Sequence, residues 1–175
     1  MLDLVSDIQI FFNQLNLELV PTDLHSLIKK CIETNYYLAK EKNNQIIFIN
    51  TKEVPLINID PIRIEQVINN LLSNVIKYSV ANNSIEISIK KEDCNIIISL
   101  KNKGEHIFIG DTGKLFQPFK KSAVDEDETK RSSGLSLAIS KKIISAHGGK
   151  IWVENNNINE ITFAFSLPFN GNSVN

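Results

Sequence analysis

Two asparagines and a lysine lie at helical spacing within residues 60–79, which read DPIRIEQVINNLLSNVIKYS. On an α-helix, Asn70, Asn74 and Lys77 fall on one face, each about one turn after the last. Two amides and a cation make an unusual face for a helix that meets only water, since solvated faces commonly mix lysines with glutamates. The pattern therefore indicates contact with a ligand. A solvent-exposed polar face is the alternative.

The rest of this stretch predicts the helix that positions these side chains. Asp60 can accept hydrogen bonds from the first free N–H groups, and a proline suits the first helical position because its missing donor has no partner there. The polar stripe also includes Arg63 and Gln66, whereas Glu65 points elsewhere. The apolar face consists of Ile64, Val67, Ile68, Leu71, Leu72 and Val75. We expect the chain to be organised around this helix.

Composition places the chain among globular proteins. With 175 residues, of which 42% are hydrophobic and 22% charged, it is predicted to form one domain with a substantial core. The net charge of -1 and the lack of a long basic block argue against general binding to nucleic acid or anionic membranes. Cys31 and Cys94 are predicted to be reduced thiols, and no apolar run is long enough to cross a bilayer. We expect a cytoplasmic chain without membrane contact.

Helical and strand patterns predict a two-layer α/β sandwich, in which three helices cover one face of a mixed sheet. A first helix is expected from Thr22 or Asp23 to about residue 43, and a last one over 134–147. The inward residues of the first helix are predicted to be Leu24, Leu27, Ile28, Ile32 and Leu38. Strands are expected at 45–50, 84–90, 95–100, 150–154 and 160–167, with a short edge segment at 55–59.

Residues 1–20 are predicted to form a helical lead-in before this domain. Their apolar residues recur at three- and four-residue spacing and have no partner within the segment, which favours pairing with a second chain. The domain itself is expected over 21–169, and 170–175 are expected to be a disordered tail.

Four stretches, in this order, resemble the ATP-binding catalytic domain of two-component sensor histidine kinases, which has the Bergerat ATPase fold. The asparagine box is the stretch at 60–79, and ISLKNKGEH stands where the first glycine box is found. LFQPF resembles the aromatic box, and SSGLSLAISKKIISAHGGKIWVE resembles the second glycine box with its helix and strand. The resemblance covers about residues 20–168, and four motifs in order imply the same fold.

The resemblance implies a role for each residue of the polar face. The asparagine that matches Asn74 gives its side-chain oxygen to Mg²⁺, which bridges the phosphates of ATP. Asn70 lines the same site, Lys77 offers a charge to the phosphates, and Tyr78 packs beside it. ATP-hydrolysing relatives carry a glutamate as general base at the place of Asn70. An amide cannot take that proton, so the resemblance implies a histidine kinase rather than a hydrolase.

The first glycine box departs from the family pattern. Asn102, Gly104 and His106 stand where the family has aspartate, glycine and glycine. The aspartate accepts a hydrogen bond from the adenine amino group, and the neutral amide of Asn102 is a weaker acceptor. His106 is expected to be an exposed loop residue without a role in proton transfer.

The second glycine box is also altered. Ser132, Gly134 and Ser136 stand at its three glycine positions, which bring backbone N–H groups close to phosphate. Lys121 and Arg131 border the loop before it, and they either close over the phosphates or are simply solvated. The implied nucleotide-binding residues are Asn70, Asn74, Lys77, Tyr78, Asn102, Gly104, Lys121, Arg131, Ser133, Gly134 and Leu135, with Asn74 as the metal ligand and no catalytic residue assigned.

The phosphoacceptor histidine of the family is followed directly by an acidic residue, and none of His25, His106 and His147 is. The chain is therefore expected to bind ATP or ADP with Mg²⁺ and to pass the γ-phosphoryl group to a histidine on a separate dimerisation domain. The implied partners are that domain and a response regulator, with a homodimer possible through residues 1–20. The alternative is a degenerate module with weak or no nucleotide binding, which acts by protein–protein interaction.

Overall fold

A five-stranded mixed sheet forms one layer of the protein and three helices form the other, in a computed structural model that describes residues 15–50, 54–103, 115–118, 135–156 and 160–169. In chain order the elements are β1 (Val20–Thr22), α1 (Leu24–Glu41), β2 (Gln45–Asn50), β3 (Ile57–Ile59), α2 (Pro61–Tyr78), β4 (Ser84–Glu92), β5 (Asn95–Lys103), α3 (Ser136–Ala146), β6 (Lys150–Asn156) and β7 (Glu160–Pro168). The predicted two-layer α/β sandwich is confirmed.

The sheet has the strand order β2–β4–β5–β7–β6, with β2 parallel to β4 and the other neighbours antiparallel. Side chains alternate between its faces, so Ile85, Ile87 and Ile89 of β4 are completely buried in the core. β1 and β3 form a separate antiparallel pair, with Val20 opposite Ile59. The edge segment predicted before the central helix therefore pairs with the start of the domain and not with the main sheet.

The central helix α2 packs against α1 on one side and against α3 on the other. It begins as predicted, because the Asp60 carboxylate accepts the N–H of Arg63 at 3.1 Å and a proline occupies the first helical position. At its other end, the ammonium of Lys42 donates to the carbonyls of Lys77 and Ser79, at 2.6 and 3.0 Å. A cation there also suits the negative end of the helix dipole. Side chains thus hold both ends of α2.

Two glycines turn the chain from α3 into β6. Gly148 adopts φ of 75°, the left-handed conformation that commonly ends a helix. A Cβ atom on Gly149 would lie 2.0 Å from the carbonyl oxygen of Ser166 on β7. The chain can pass this close to β7 only with glycine at position 149.

Two predictions about the first part of the chain were wrong. The lead-in helix predicted over 1–20 is contradicted at its last six residues, since 15–19 have no regular structure and Val20 begins β1; residues 1–14 and 170–175 lie outside the described residues. Leu38 is 41% exposed, because Cys31, Asn35 and Ala39 continue the buried face of α1. Within the described residues, no helix is both long and apolar enough to cross a membrane.

Among the element boundaries that differ from the prediction, two affect the candidate site. β5 continues to Lys103, so Asn102 belongs to a strand and not to the following loop. α3 begins at Ser136 rather than at residue 134. The aromatic–proline segment is described over 115–118, where Phe116 is buried in the core.

Candidate functional site

The polar face of α2 is turned inward. Asn70 is 4% exposed, and the other four residues of the polar stripe are half-buried. By contrast, the apolar side chain of Ile62 on this helix is 72% exposed. The polar side chains are therefore not a solvated face, and their contacts decide what they can do.

Asn70 contacts the first turn of α3. Its amide nitrogen Nδ2 lies 3.4 Å from the carbonyl oxygen of Ser136 and 3.5 Å from the hydroxyl of Ser140. Both are longer than the usual 2.9–3.0 Å of an N–H···O bond. The amide group of Asn70 is thus directed at α3, where it acts as a donor and cannot accept a proton.

Asn74 lies one turn further along α2. Its Nδ2 donates to the main-chain carbonyl of Asn70 at 2.7 Å. This bond fixes the orientation of the amide group, because the nitrogen must face the preceding turn. The side-chain oxygen Oδ1 then becomes the atom that can serve a partner outside the helix.

The last turn of α2 carries the cation and the aromatic ring of the predicted site. The ammonium of Lys77 lies 5.2 Å from the centroid of the Tyr78 ring, within cation–π range. Lys42 holds the main chain of this turn through the carbonyl of Lys77. These contacts place a positive charge next to the end of the asparagine face.

Asn102 on β5 is 2% exposed and lies against the same end of α2. Its Nδ2 is 3.4 Å from the carbonyl oxygens of Val75 and Lys103. Its Oδ1 is buried and has no hydrogen-bond partner among the described residues. A buried acceptor without a donor is unfavourable by roughly 1–3 kcal/mol, which makes this atom a candidate for contact with a ligand.

The start of α3 lies beside these groups. Leu135 is buried at the N-cap position, and a leucine side chain cannot accept a hydrogen bond from the first N–H groups of the helix. Helix N-termini of this kind bind anions, because their N–H groups and the helix dipole both favour negative charge. Asn70 joins this helix start to α2.

The other end of α3 also contacts α2, through His147. The ring nitrogen Nε2 accepts the N–H of Asp60 at 3.1 Å, and Nδ1 lies 2.8 Å from the carbonyl oxygen of Ile143. This pair of contacts requires the proton on Nδ1, where it is donated to Ile143. His147 ends α3, as predicted from the sequence.

Two other titratable side chains, Glu65 of α2 and Cys31 of α1, lie in structural surroundings. Glu65 faces α1, with its Oε2 2.8 Å from the ammonium of Lys30, and this hydrogen bond raises the pKa of Lys30. Burial raises the pKa of the Cys31 thiol to about 12. Neither Glu65 nor Cys31 is thus placed to act at the site. Among the described residues, no cluster of His, Cys, Asp and Glu could hold a metal ion.

The structure brings several predicted residues together around the second half of α2. Asn70 contacts α3 next to Leu135, and Asn102 contacts the main chain of α2 one residue after Asn74. Lys77 and Tyr78 follow on the last turn. The other predicted residues lie outside the described part of the chain: Gly104, Lys121, Arg131, Ser133 and Gly134.

Sequence reasoning missed two polar residues that support this site. Ser140 is completely buried and contacts Asn70, and Lys42 holds the end of α2. The spacing of Ser136 and Ser140 could have indicated the bond of 2.8 Å from the Ser140 hydroxyl to the Ser136 carbonyl. No local signal shows that Asn70 lies opposite them.

One family accounts for this arrangement. Residues 59–171 match the model of the histidine kinase-, DNA gyrase B-, and HSP90-like ATPases. The chain belongs to this family. The match includes α2, β5 and α3, which carry the described residues of the site.

Within the ATPase family, the chain is similar to sensor histidine kinases. It is 36% identical over 138 residues to the sensor histidine kinase WalK of Bacillus subtilis, which covers 77% of this chain and 22% of that protein. It is 32% identical over 127 residues to the sensor protein KdpD of Clostridium acetobutylicum, which covers 73% of this chain and 14% of that protein. The chain therefore spans less than a quarter of the length of either relative.

The likeness extends to solved structures. The catalytic domain of the histidine kinase ThkA, in a nucleotide-free form, superposes with a TM-score of 0.76 at 30% identity, over 86% of this chain and 95% of that one. ThkA in complex with the response regulator protein TrrA gives a TM-score of 0.78 at 29% identity, over 95% of this chain and 46% of that one. The chain thus has the fold of a catalytic domain of the sensor histidine kinase type.

Proposed function

We propose that this chain binds ATP together with Mg²⁺ and presents the γ-phosphoryl group to a histidine on another domain. The observation that carries the proposal is the buried Oδ1 of Asn102, an acceptor for which the described part of the chain provides no donor. An exocyclic amino group, such as that of adenine, would supply the missing hydrogen bond. The family aspartate has the same task, and Asn102 performs it without charge.

The asparagine face fits the phosphates and their metal ion. Mg²⁺ needs few protein ligands and prefers oxygen, and the amide of Asn74 is oriented so that its oxygen is the available atom. When bound, Mg²⁺ neutralises charge on the phosphates. Lys77 adds a positive charge at the same end of α2, and the start of α3 supplies N–H groups.

The resemblance assigns further nucleotide contacts to residues outside the described ranges. We propose that Gly104, Ser133 and Gly134 offer main-chain groups, and that Lys121 and Arg131 carry positive charge toward the phosphates. Within the described ranges, Tyr78 supports Lys77, and Leu135 stands at the N-cap position of α3, the end proposed to face the phosphates. The catalytic contribution of the chain is then positioning and charge neutralisation.

The general base of the reaction is expected outside this chain. Asn70 occupies the place of the base in the hydrolysing relatives, and its amide donates to α3. Both ring nitrogens of His147 have partners, and no histidine of the chain is followed by an acidic residue. We therefore propose a phosphotransferase domain that needs a second, histidine-bearing dimerisation domain, and we do not propose a hydrolase.

The proposed setting is two-component signalling in the cytoplasm. ThkA has been solved with the response regulator TrrA, which supports a response regulator as the partner of this chain as well. The histidine-bearing domain and a homodimer through residues 1–20 complete the proposed assembly.

Calorimetric titration with ATP, with and without Mg²⁺, tests the proposal. The wild-type chain is expected to bind ATP in a Mg²⁺-dependent way, and Asn74→Ala is expected to lose that dependence because it removes the metal-binding oxygen. Ser73→Ala is the matched control, since Ser73 is the exposed neighbour of Asn74 on the same helix. No binding by the wild-type chain at millimolar nucleotide would exclude the proposal.

That negative result would favour the second candidate function, a non-catalytic module that docks to a kinase or a regulator. The changed glycine boxes support this candidate, because Asn102 is a neutral acceptor and Ser136 adds a side chain at the start of α3. The two candidates differ in one measurable property, since only the first requires nucleotide to bind.

A further inference from the structure

Ser140 is a polar residue in the middle of the contact between α2 and α3. It is completely buried, although its neighbours Ala138, Ile139 and Ile143 on the same helix are apolar core residues. Its hydroxyl donates to the carbonyl oxygen of Ser136 at 2.8 Å. A buried hydroxyl whose only task was this local bond could be replaced by a methyl group at little cost.

The hydroxyl of Ser140 has a second partner across the helix interface. Because its proton is donated to Ser136, its oxygen accepts the N–H of Asn70, whose Nδ2 lies 3.5 Å away. The same nitrogen lies 3.4 Å from the Ser136 carbonyl oxygen. Asn70 thus contacts the N-terminal part of α3 at two points, the Ser136 carbonyl and the Ser140 hydroxyl.

The contact continues to the residue that is proposed to bind the metal ion. Asn70 accepts the Nδ2 of Asn74 at its main-chain carbonyl, at 2.7 Å. The polar chain therefore runs from the first turn of α3, through Asn70, to Asn74. Its two ends are the proposed phosphate-binding and metal-binding parts of the site.

We infer that Ser140 and Asn70 are a positioning pair, which sets the place of the first turn of α3 relative to Asn74. This inference rests on the proposed function and adds a residue that touches neither nucleotide nor metal. Binding sites need their groups held within about 0.5 Å of the productive position. Each contact of Asn70 with α3 is longer than an ordinary hydrogen bond and therefore weak, so both are needed to fix the start of α3. Loss of the hydroxyl would leave Asn70 with the Ser136 carbonyl as its partner on α3.

The test compares Ser140→Ala with the wild-type chain by calorimetric titration of ATP, with Mg²⁺ and with a chelator. Ser140→Ala is expected to weaken the Mg²⁺-dependent binding about twofold to fivefold, the lower part of the range for one hydrogen bond because the contact is long, and to leave the metal-free binding almost unchanged. Ser145→Ala is the matched control, because Ser145 is an exposed serine of the same helix. Ser140→Thr retains the hydroxyl and is expected to restore the Mg²⁺ dependence.

A role confined to stability would lower the melting temperature and leave the ratio of the two affinities as in the wild-type chain. That result with Ser140→Ala would overturn the inference. If Ser140→Ala folds too poorly to titrate, Ser140→Cys replaces it, because a thiol fills similar space and is only a weak hydrogen-bond donor. The ratio of ATP affinities with and without Mg²⁺ then tests the inference in the same way. Absence of ATP binding by the wild-type chain would be a failure of the proposed function instead, so the two failures are distinguishable.

Discussion

The two ends of the contact between α2 and α3 are built differently. At the proposed site, Asn70 reaches the first turn of α3 over 3.4 and 3.5 Å. At the far end, the His147 ring accepts the N–H of Asp60 at 3.1 Å and is held by Ile143 at 2.8 Å. Hydrogen bonds weaken as they lengthen, so the far end holds α3 more firmly than the site end does.

The far end of the contact, around Asp60 and His147, also connects α2 and α3 to the segment before β1. The Asp60 carboxylate accepts the N–H of Arg63 at 3.1 Å and the N–H of Glu18, before β1, at the same distance. The end of α3 meets the start of α2 here, an arrangement that the two helix dipoles favour. Among the described residues, α3 is thus anchored more firmly at its C-terminal end, whereas the N-terminal end that is proposed to bind phosphate is held by longer polar contacts.

The largest effect on stability is expected from the far end. His147→Leu removes the acceptor of the Asp60 N–H, and Asp60 is buried. The free energy of unfolding is expected to fall by about 1–3 kcal/mol, the cost of a buried donor without a partner, as measured by urea denaturation. The affinity for Mg·ATP is expected to change less than twofold, about 0.4 kcal/mol.

Ala146→Leu is the control for the far end, since it adds the same side chain at an exposed neighbouring position. Unchanged stability of His147→Leu would show that His147 does not anchor α3. A large loss of nucleotide affinity without a loss of stability would reverse the comparison, because the far end would then act on the site.

At Asn102, a smaller effect is expected, in which nucleotide affinity rises and stability of the nucleotide-free chain falls. In Asn102→Asp, a charged acceptor is expected to tighten adenine nucleotide binding about fivefold, since charge-assisted hydrogen bonds are roughly twice as strong. The same carboxylate would be buried next to the carbonyl oxygens of Val75 and Lys103, so the nucleotide-free chain is expected to be less stable.

Titration with ATP and denaturation without nucleotide measure the two effects of Asn102→Asp separately. Asn83→Asp, at a partly buried asparagine whose amide donates to the same Lys103 carbonyl, is the control for added charge. Unchanged affinity for ATP in Asn102→Asp would mean that Asn102 does not contact adenine.

The smallest effect concerns the reactivity of the two thiols, which reports on opening of the helical layer. Cys94 is exposed and Cys31 is buried with a pKa of about 12, against 9.0 for an ordinary thiol. A disulfide reagent at pH 8 is expected to label Cys94 rapidly and Cys31 only through opening. His147→Leu is expected to speed the labelling of Cys31 more than Ser140→Ala does.

The same thiol has a pH dependence of known sign. Because the pKa of Cys31 is higher in the folded chain, folding favours the protonated thiol. Its contribution to stability is complete below pH 9.0 and is lost as the pH rises toward about 12. In Cys31→Ala, the free energy of unfolding, measured by urea denaturation, should fall less between pH 9.0 and about 12 than in the wild-type chain. An equal fall in both chains would contradict the raised pKa of Cys31.

The sequence was sufficient for the elements that local patterns specify. Asp60 is a cap, residues 61–78 form a helix, and β4 alternates between buried and more exposed side chains. It was insufficient where the outcome depends on contacts between elements, such as which side chains of a helix reach the interface and how far a strand stays paired. Leu38 is exposed because Cys31, Asn35 and Ala39 occupy the interface, and β5 continues past its apolar run because β4 and β7 still pair with it.

By itself, the sequence determined the sandwich fold, the central helix and the line of Asn70, Asn74 and Lys77 along one face, because helical spacing and capping act between near neighbours. Only the tertiary structure decided what those side chains meet. The contacts of Asn70 with Ser136 and Ser140 join residues 66 and 70 positions apart, and that of Asp60 with His147 spans 87 positions. No local rule links residues at such separations, since packing of the helices on the sheet brings them together.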